Sequence, residues 1–171
     1  MSGEARVARF ADAIPEYEIA LAANPNDWRA LGSLAWCKFM TGAEEEAVPL
    51  LEKQIRLSPR DPGLYLPYFR LGVVHFFDER LDQAIIWLEK ARRAAPTFPP
   101  AHSFLAAAYG LNRDTARAAA ELAEAVKWRG DDRFGTIALA RKNGDLNTPA
   151  LHDRFERLLL AGLRKAGMPE E

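Results

Sequence analysis

The sequence predicts an all-α protein built as an array of helical hairpins, and three observations carry that prediction. One segment recurs at a near-constant interval. Its apolar residues are spaced as on one face of a helix. Proline or glycine punctuates the chain at the end of each copy. The copies are AIPEYEIALAANP from Ala13, AVPLLEKQIRLSP from Ala47, AIIWLEKARRAAP from Ala84 and AAAELAEAVKWRG from Ala118, with opening alanines 34, 37 and 34 residues apart. Four residues after each alanine stand Tyr17, Leu51, Leu88 and Leu122, and three further on Ala20, Gln54, Ala91 and Ala125. Separations of four and seven bring side chains to one side of an α-helix.

The stretches between copies are helical in their own register. Leu31, Leu34, Ala35 and Lys38 recur as Tyr68, Leu71, Gly72 and His75, then as His102, Leu105, Ala106 and Tyr109. Turns are expected at TGAEE, FDERLD and LNRDT, so each pair of helices forms a hairpin; ANPND, SPRDPG and APTFPP lead from one hairpin to the next. Small residues at Ala35, Gly72 and Ala106 suit a close approach of the partner helix. Pro15 and Pro49 are expected near the first turn of a hairpin's second helix, where the amide has little or no intrahelical partner. Pro25, Pro59 and Pro96 end that helix and redirect the chain.

The first copy has a second helix, from Ala5 to Ala23, with no first helix before it. It reads as a half-repeat, either a cap or the start of a fragment. After Gly130 a short helix is expected from Arg133 to Lys142. A capping helix follows, with Thr148 as N-cap, Pro149 at its first position and Gly167 as its stop. Its apolar stripe is Leu151, Phe155, Leu158, Leu159 and Leu163, and GMPEE reads as a frayed tail.

A 34-residue helix–turn–helix unit resembles the tetratricopeptide repeat, whose pattern is W-x2-L-G-x2-Y, then A-x3-F, then P. The second full repeat carries it through Leu71, Gly72, Ala84, Leu88, Ala91 and Pro96. The third has Leu105, Ala106, Tyr109, Ala118, Leu122 and Ala125, with Gly130 where proline is expected. The first has Leu34, Ala35, Ala47, Leu51 and Pro59, with Lys38 in place of the tyrosine and Gln54 in place of the small residue. The resemblance implies a right-handed α-solenoid: a half-repeat at 5–27, repeats at 28–61, 65–98 and 99–132, and a C-terminal cap at 133–171. More narrowly, WCKFMTG, IRLSPRDP, AIIWLEKAR and GLRKAGMPEE resemble the C-terminal repeat region of bacterial class III adenylate/guanylate cyclase-like proteins. There the repeats follow a catalytic domain. That resemblance implies an upstream domain outside these residues and carries no catalytic residue over.

Composition narrows the function. The 171 residues suffice for one domain or a short array, and 49% hydrophobic residues suffice for a core. A formal charge of −1, with both signs dispersed, lacks the basic stripe that a nucleic-acid surface needs. The single cysteine, Cys37, cannot form an intrachain disulfide and suits a reducing compartment. The N-terminus has no apolar signal core, and no stretch approaches the ~20 apolar residues of a membrane span, so a cytoplasmic protein is expected. His75, His102 and His152 share no metal-ligand spacing with each other or with Cys37, and the first two fall on repeat-core positions. No Walker loop, GxGxxG or GxSxG is present. Glu44, Glu45 and Glu46 open a helix, where their charge suits the dipole. No cofactor, metal or enzymatic activity is expected.

One constellation remains. By the geometry of the resembled repeat, its second, fifth, ninth, twelfth and thirteenth places face the concave side. These are Arg29, Gly32, Trp36, Phe39 and Met40; then Leu66, Phe69, Val73, Phe76 and Phe77; then Pro100, Ser103, Ala107, Gly110 and Leu111. Arg29 is the one basic residue among them, and Arg70 flanks them. The candidate partner-binding groove is Arg29, Trp36, Phe39, Met40, Phe69, Arg70, Val73, Phe76, Phe77, Ser103 and Ala107, and it would take a protein or peptide segment with apolar or aromatic side chains. The competing reading is that these aromatics pack between helices or against the C-terminal helix; their spacing supports both. The function expected is non-enzymatic protein interaction, as the regulatory or scaffolding C-terminal part of a cyclase-like signalling protein. The partner could be the protein's own upstream domain. The alternative is homodimerisation through the unpaired first helix, which would align upstream catalytic domains.

Overall fold

In the computed structural model, residues 3–130 and 134–171 are described, and every regular element among them is helical. They are α1 (Gly3–Ala23), α2 (Trp28–Met40), α3 (Glu44–Leu57), α4 (Tyr65–Phe77), α5 (Leu81–Ala94), α6 (Pro99–Leu111), α7 (Thr115–Arg129), α8 (Ile137–Asn143) and α9 (152–165), with a 3-10 turn at Pro62–Leu64. No helix among the described residues is long and apolar enough to cross a membrane. The pairs α2/α3, α4/α5 and α6/α7 are antiparallel hairpins, and successive pairs stack into an all-α solenoid.

Each hairpin closes on the same turn. Gly42, Glu79 and Arg113 all have left-handed backbone, with φ of 90°, 60° and 61°. The next amide, of Ala43, Arg80 or Asp114, donates back to the carbonyl of Lys38, His75 or Tyr109, at 2.8–2.9 Å. This is the helix stop in which a left-handed residue lets the chain satisfy the last carbonyls. Glycine takes that conformation freely, whereas Glu79 and Arg113 hold it at a strain of about 1 kcal/mol. Close packing explains the small residues: a Cβ on Gly72 would lie 2.6 Å from Leu88 Cγ. Ala35 and Ala106, at equivalent places, are fully buried.

The prolines sit deeper than the sequence suggests. Pro49 is in the second turn of α3 and Pro15 in the middle of α1. Each removes one amide from the helix ladder and leaves the carbonyl four residues earlier unbonded. Both prolines are exposed, as are Ala11 and Glu45, so water reaches the freed carbonyls.

The C-terminal region differs most from expectation. Part of the short helix expected from Arg133 lies outside the described residues, and α8 starts at Ile137. Thr148 does not cap α9: its hydroxyl is buried without a partner, and its carbonyl accepts from Leu151 in a turn that precedes the helix. Gly167 does stop α9, with φ 98°, Gly167 N–H donating to Arg164 and Met168 N–H to Leu163. The tail is pinned rather than frayed. The carbonyls of Pro169 and Glu170 accept from Ile137 and Ala138 at 2.8 and 3.0 Å, satisfying the free amides that open α8. Between Phe155 and Leu160, α9 takes a π-helical turn. The three successive leucines 158–160 within it are all buried.

Candidate partner-binding pocket

The C-terminal helix determines which concave residues are reachable. α9 lies against α6 at backbone contact: a Cβ on Gly162 would fall 2.8 Å from Ala107 Cα and 2.9 Å from its carbonyl carbon. Arg154 pairs with Glu44 and Arg157 with Glu79, tying α9 to the turns of the first two hairpins. Six of the eleven candidate residues therefore belong to the core and not to a groove wall. Phe39, Val73, Phe76 and Ala107 are 0% exposed, Met40 and Phe77 1%. Phe39, Phe77, Phe104 and Phe76 form one aromatic chain with centroids 5.4–6.2 Å apart. A cluster of tilted and edge-on rings of this kind is a packing unit.

The other five remain at or near the surface. Trp36 is half-buried, its ring 5.3 Å from Phe39, with the Arg70 guanidinium 5.4 Å above it. Arg70 also donates to the Gly32 carbonyl at 2.7 Å, and burial pushes its pKa below the usual guanidinium range. Phe69, 8% exposed, meets Phe98 and Phe104 edge-on at 5.2 and 5.6 Å. Ser103 is half-buried, and its hydroxyl accepts from Arg129 at 2.7 Å. Arg29 is exposed at the start of α2.

Trp36, Phe69 and Ser103 line an open pocket of about 410 Å³ between the concave face and the cap. Pro100, expected on the concave face, joins them; the remaining walls come from residues the sequence does not mark: Pro99 and Phe104 on α6, Arg129 on α7, and Phe134, Phe155, Leu159 and Met168 among those of the cap. The leucine stripe of α9 is legible as a cap, but nothing local in it signals a pocket wall. Arg129 braces the mouth, donating also to the Phe134 carbonyl at 2.9 Å and lying 5.1 Å over that ring. A concave, largely apolar site with a few polar groups at its edge accommodates an apolar side chain and orients what is attached to it.

Cys37 is buried, and burial raises its thiol pKa against the nearby Arg70 charge. Such a thiol is poorly reactive. Among the described residues no three His, Cys, Asp or Glu side chains are grouped to hold a metal ion.

Comparison with known proteins agrees with this architecture. Family models described as tetratricopeptide repeat match residues 4–62 and 67–98, together more than half of the chain. Hsp70-Hsp90 organizing protein 3 of Arabidopsis thaliana is 35% identical over 77 residues, which are 45% of this chain and 13% of that protein. The chain thus spans a small part of that curated relative. Among solved structures, MamA superposes with a TM-score of 0.65 at 22% identity, covering 95% of this chain and 93% of its own, a likeness of fold alone. A thermophilic TPR protein of Thermus thermophilus gives 0.60 at 25% identity, covering 94% and 91%.

Proposed function

The chain belongs to the tetratricopeptide-repeat family, and from that premise we propose that it is a non-enzymatic protein-interaction module whose pocket seats an apolar or aromatic side chain of a partner segment. The observation that carries this reading is the open pocket walled by Trp36, Phe69 and the cap. Aromatic residues at such a place concentrate binding energy. Hsp70-Hsp90 organizing protein 3 is by its name an organizing protein for two others, which supports an interaction role in general terms. The finer reading makes this module the regulatory or scaffolding part of a larger cyclase-like signalling protein; it is supported by the four resembling segments given above.

A selection of random displayed peptides against the intact module tests the proposal. Enriched peptides should share an apolar or aromatic residue and lose binding to a folded Trp36→Ala variant. Enriched peptides that bind Trp36→Ala equally well would place the site elsewhere. Homodimerisation through α1 has one observation in its favour, Ile19 at 70% exposure. Concentration-dependent sedimentation separates it from capture of another protein.

A further inference from the structure

His102 and Glu121 are buried, 4% and 6% exposed, in a structure whose other repeats fill the same places differently. By the repeat register, His102 corresponds to Leu31 and Tyr68, and Glu121 to Leu50 and Trp87. In the second repeat Tyr68 and Trp87 stack, with centroids 5.8 Å apart and planes 29° apart. An apolar or aromatic pair therefore suffices for packing. The third repeat places an ionisable pair there, and buried ion pairs are seldom better than apolar ones for stability alone.

The geometry fixes the protonation. His102 Nδ1 lies 2.6 Å from Glu121 Oε2, and Nε2 lies 2.8 Å from the carbonyl oxygen of Pro96. Both partners are acceptors when Glu121 is a carboxylate, and its other oxygen accepts from the Arg92 guanidinium. A neutral imidazole has one donor and one acceptor nitrogen, so it would press a lone pair against an oxygen. Against a Glu121 carboxylate, only the doubly protonated ring satisfies both contacts.

We propose that His102, Glu121 and Arg92 form a proton-dependent lock between the second and third repeats, closed while His102 is an imidazolium and released as it loses a proton. The parts come from both sides of the junction. Arg92 and the Pro96 carbonyl belong to the end of the second repeat, and His102 on α6 and Glu121 on α7 to the third. The charged groups facing the ring are Glu121 and Glu124 from α7, with Arg92 from α5 behind Glu121. The Glu121 bond, opposed by burial and aided by the Pro96 carbonyl and the charges of Glu121 and Glu124, holds His102 above the usual histidine range. A raised folded pKa gives stability that is complete below the unfolded value of about 6.5 and disappears as pH rises through the folded one. α6 also brings Pro99, Ser103 and Phe104 to the pocket, so release would loosen that wall.

Nitrogen-15 spectra of the ring nitrogens in the whole chain, followed from about pH 6 to about pH 9, test this directly. His102 should carry protons on both nitrogens at pH values where His75, whose pKa burial and Arg80 lower, is neutral. Loss of a His102 ring proton at or below the pH at which His75 loses its own would overturn the proposal. In a second arm, the melting midpoint of the parent should fall through this window, and the fall should be absent in Glu121→Gln and His102→Gln. An equal fall in parent and variants would also overturn it. If either variant does not fold, the parent's spectra still decide. Neither measurement depends on whether the pocket binds a partner.

Discussion

The concave face is open at one end and sealed at the other, although equivalent positions supply both. At the first repeat, Gly32 and Trp36 are bordered by side chains, Gln54 and Arg70, and Trp36 reaches a pocket. At the third, Ala107 and Gly110 lie under the backbone of α9 and are fully covered. The second and third repeats are divided along the helix: Phe69 and Ser103 reach the pocket, while Phe76, Phe77 and Ala107, further along, are core. Repeat position thus decides which way a side chain points. Exposure is decided by where the non-repetitive cap crosses the face.

Four substitutions break or sharpen that contrast. The largest effect belongs to Phe76→Glu, which puts a carboxylate among Phe77 and Phe104 at a site with 0% exposure. A carboxylate buried among rings is costly, so a loss of about 4 kcal/mol or more is expected, read as a collapse of the melting midpoint. A midpoint near the parent's would mean that the sealed part of the face begins further along. Next is Gly162→Ala. Its Cβ must displace the α6 backbone, and a loss of about 2–3 kcal/mol should appear in urea unfolding, with dye binding as α9 lifts. Unchanged stability would show that α9 is held by its leucines and ion pairs alone.

The repeat is legible because packing enforces it: helices must meet at fixed intervals, so Gly72 over Leu88 and the left-handed turns recur. Misplaced features have a common physical cause. Sequence alone assigns Pro49 to a first turn because an interior proline is normally excluded, yet at an exposed site water satisfies the freed carbonyl. Thr148 and the tail depart from expectation because their partners, Leu151 and the amides of α8, depend on how the cap folds back. The pocket is half legible. Trp36, Phe69 and Ser103 follow from repeat position, but Phe155, Leu159 and Met168 arrive from 50 or more residues away in sequence and carry no local mark.

A smaller effect is expected for Trp36→Ala. The ring is half-buried and contacts Phe39 and Arg70, so truncation should cost about 1 kcal/mol, well short of a core aromatic. Chemical unfolding measures this, and the same variant should lose the peptides selected by the parent. A loss of about 4 kcal/mol would move Trp36 to the sealed side and close the open end.

The smallest effect is the sharpest test. A Cβ on Gly32 would lie 2.5 and 2.8 Å from the Gln54 amide atoms and 2.9 Å from Arg70 Nη1, approaches as tight as those at Gly162. By distance alone, Gly32→Ala and Gly162→Ala should be equally damaging. The obstacles differ in kind, however. At Gly162 they are backbone atoms of a packed helix, and at Gly32 they are the ends of two side chains with rotatable bonds. Gln54 must still donate to the Trp28 carbonyl, now 2.8 Å away, and Arg70 to the Gly32 carbonyl, so both can pivot but not leave. Alanine also gains about 1 kcal/mol over glycine within a helix, at either position. That gain should offset the small rearrangement at Gly32, leaving stability within about 1 kcal/mol of the parent in a urea titration. A loss matching Gly162→Ala would mean that Gln54 and Arg70 are clamped as firmly as backbone, and that the open end of the face is as rigid as the sealed one.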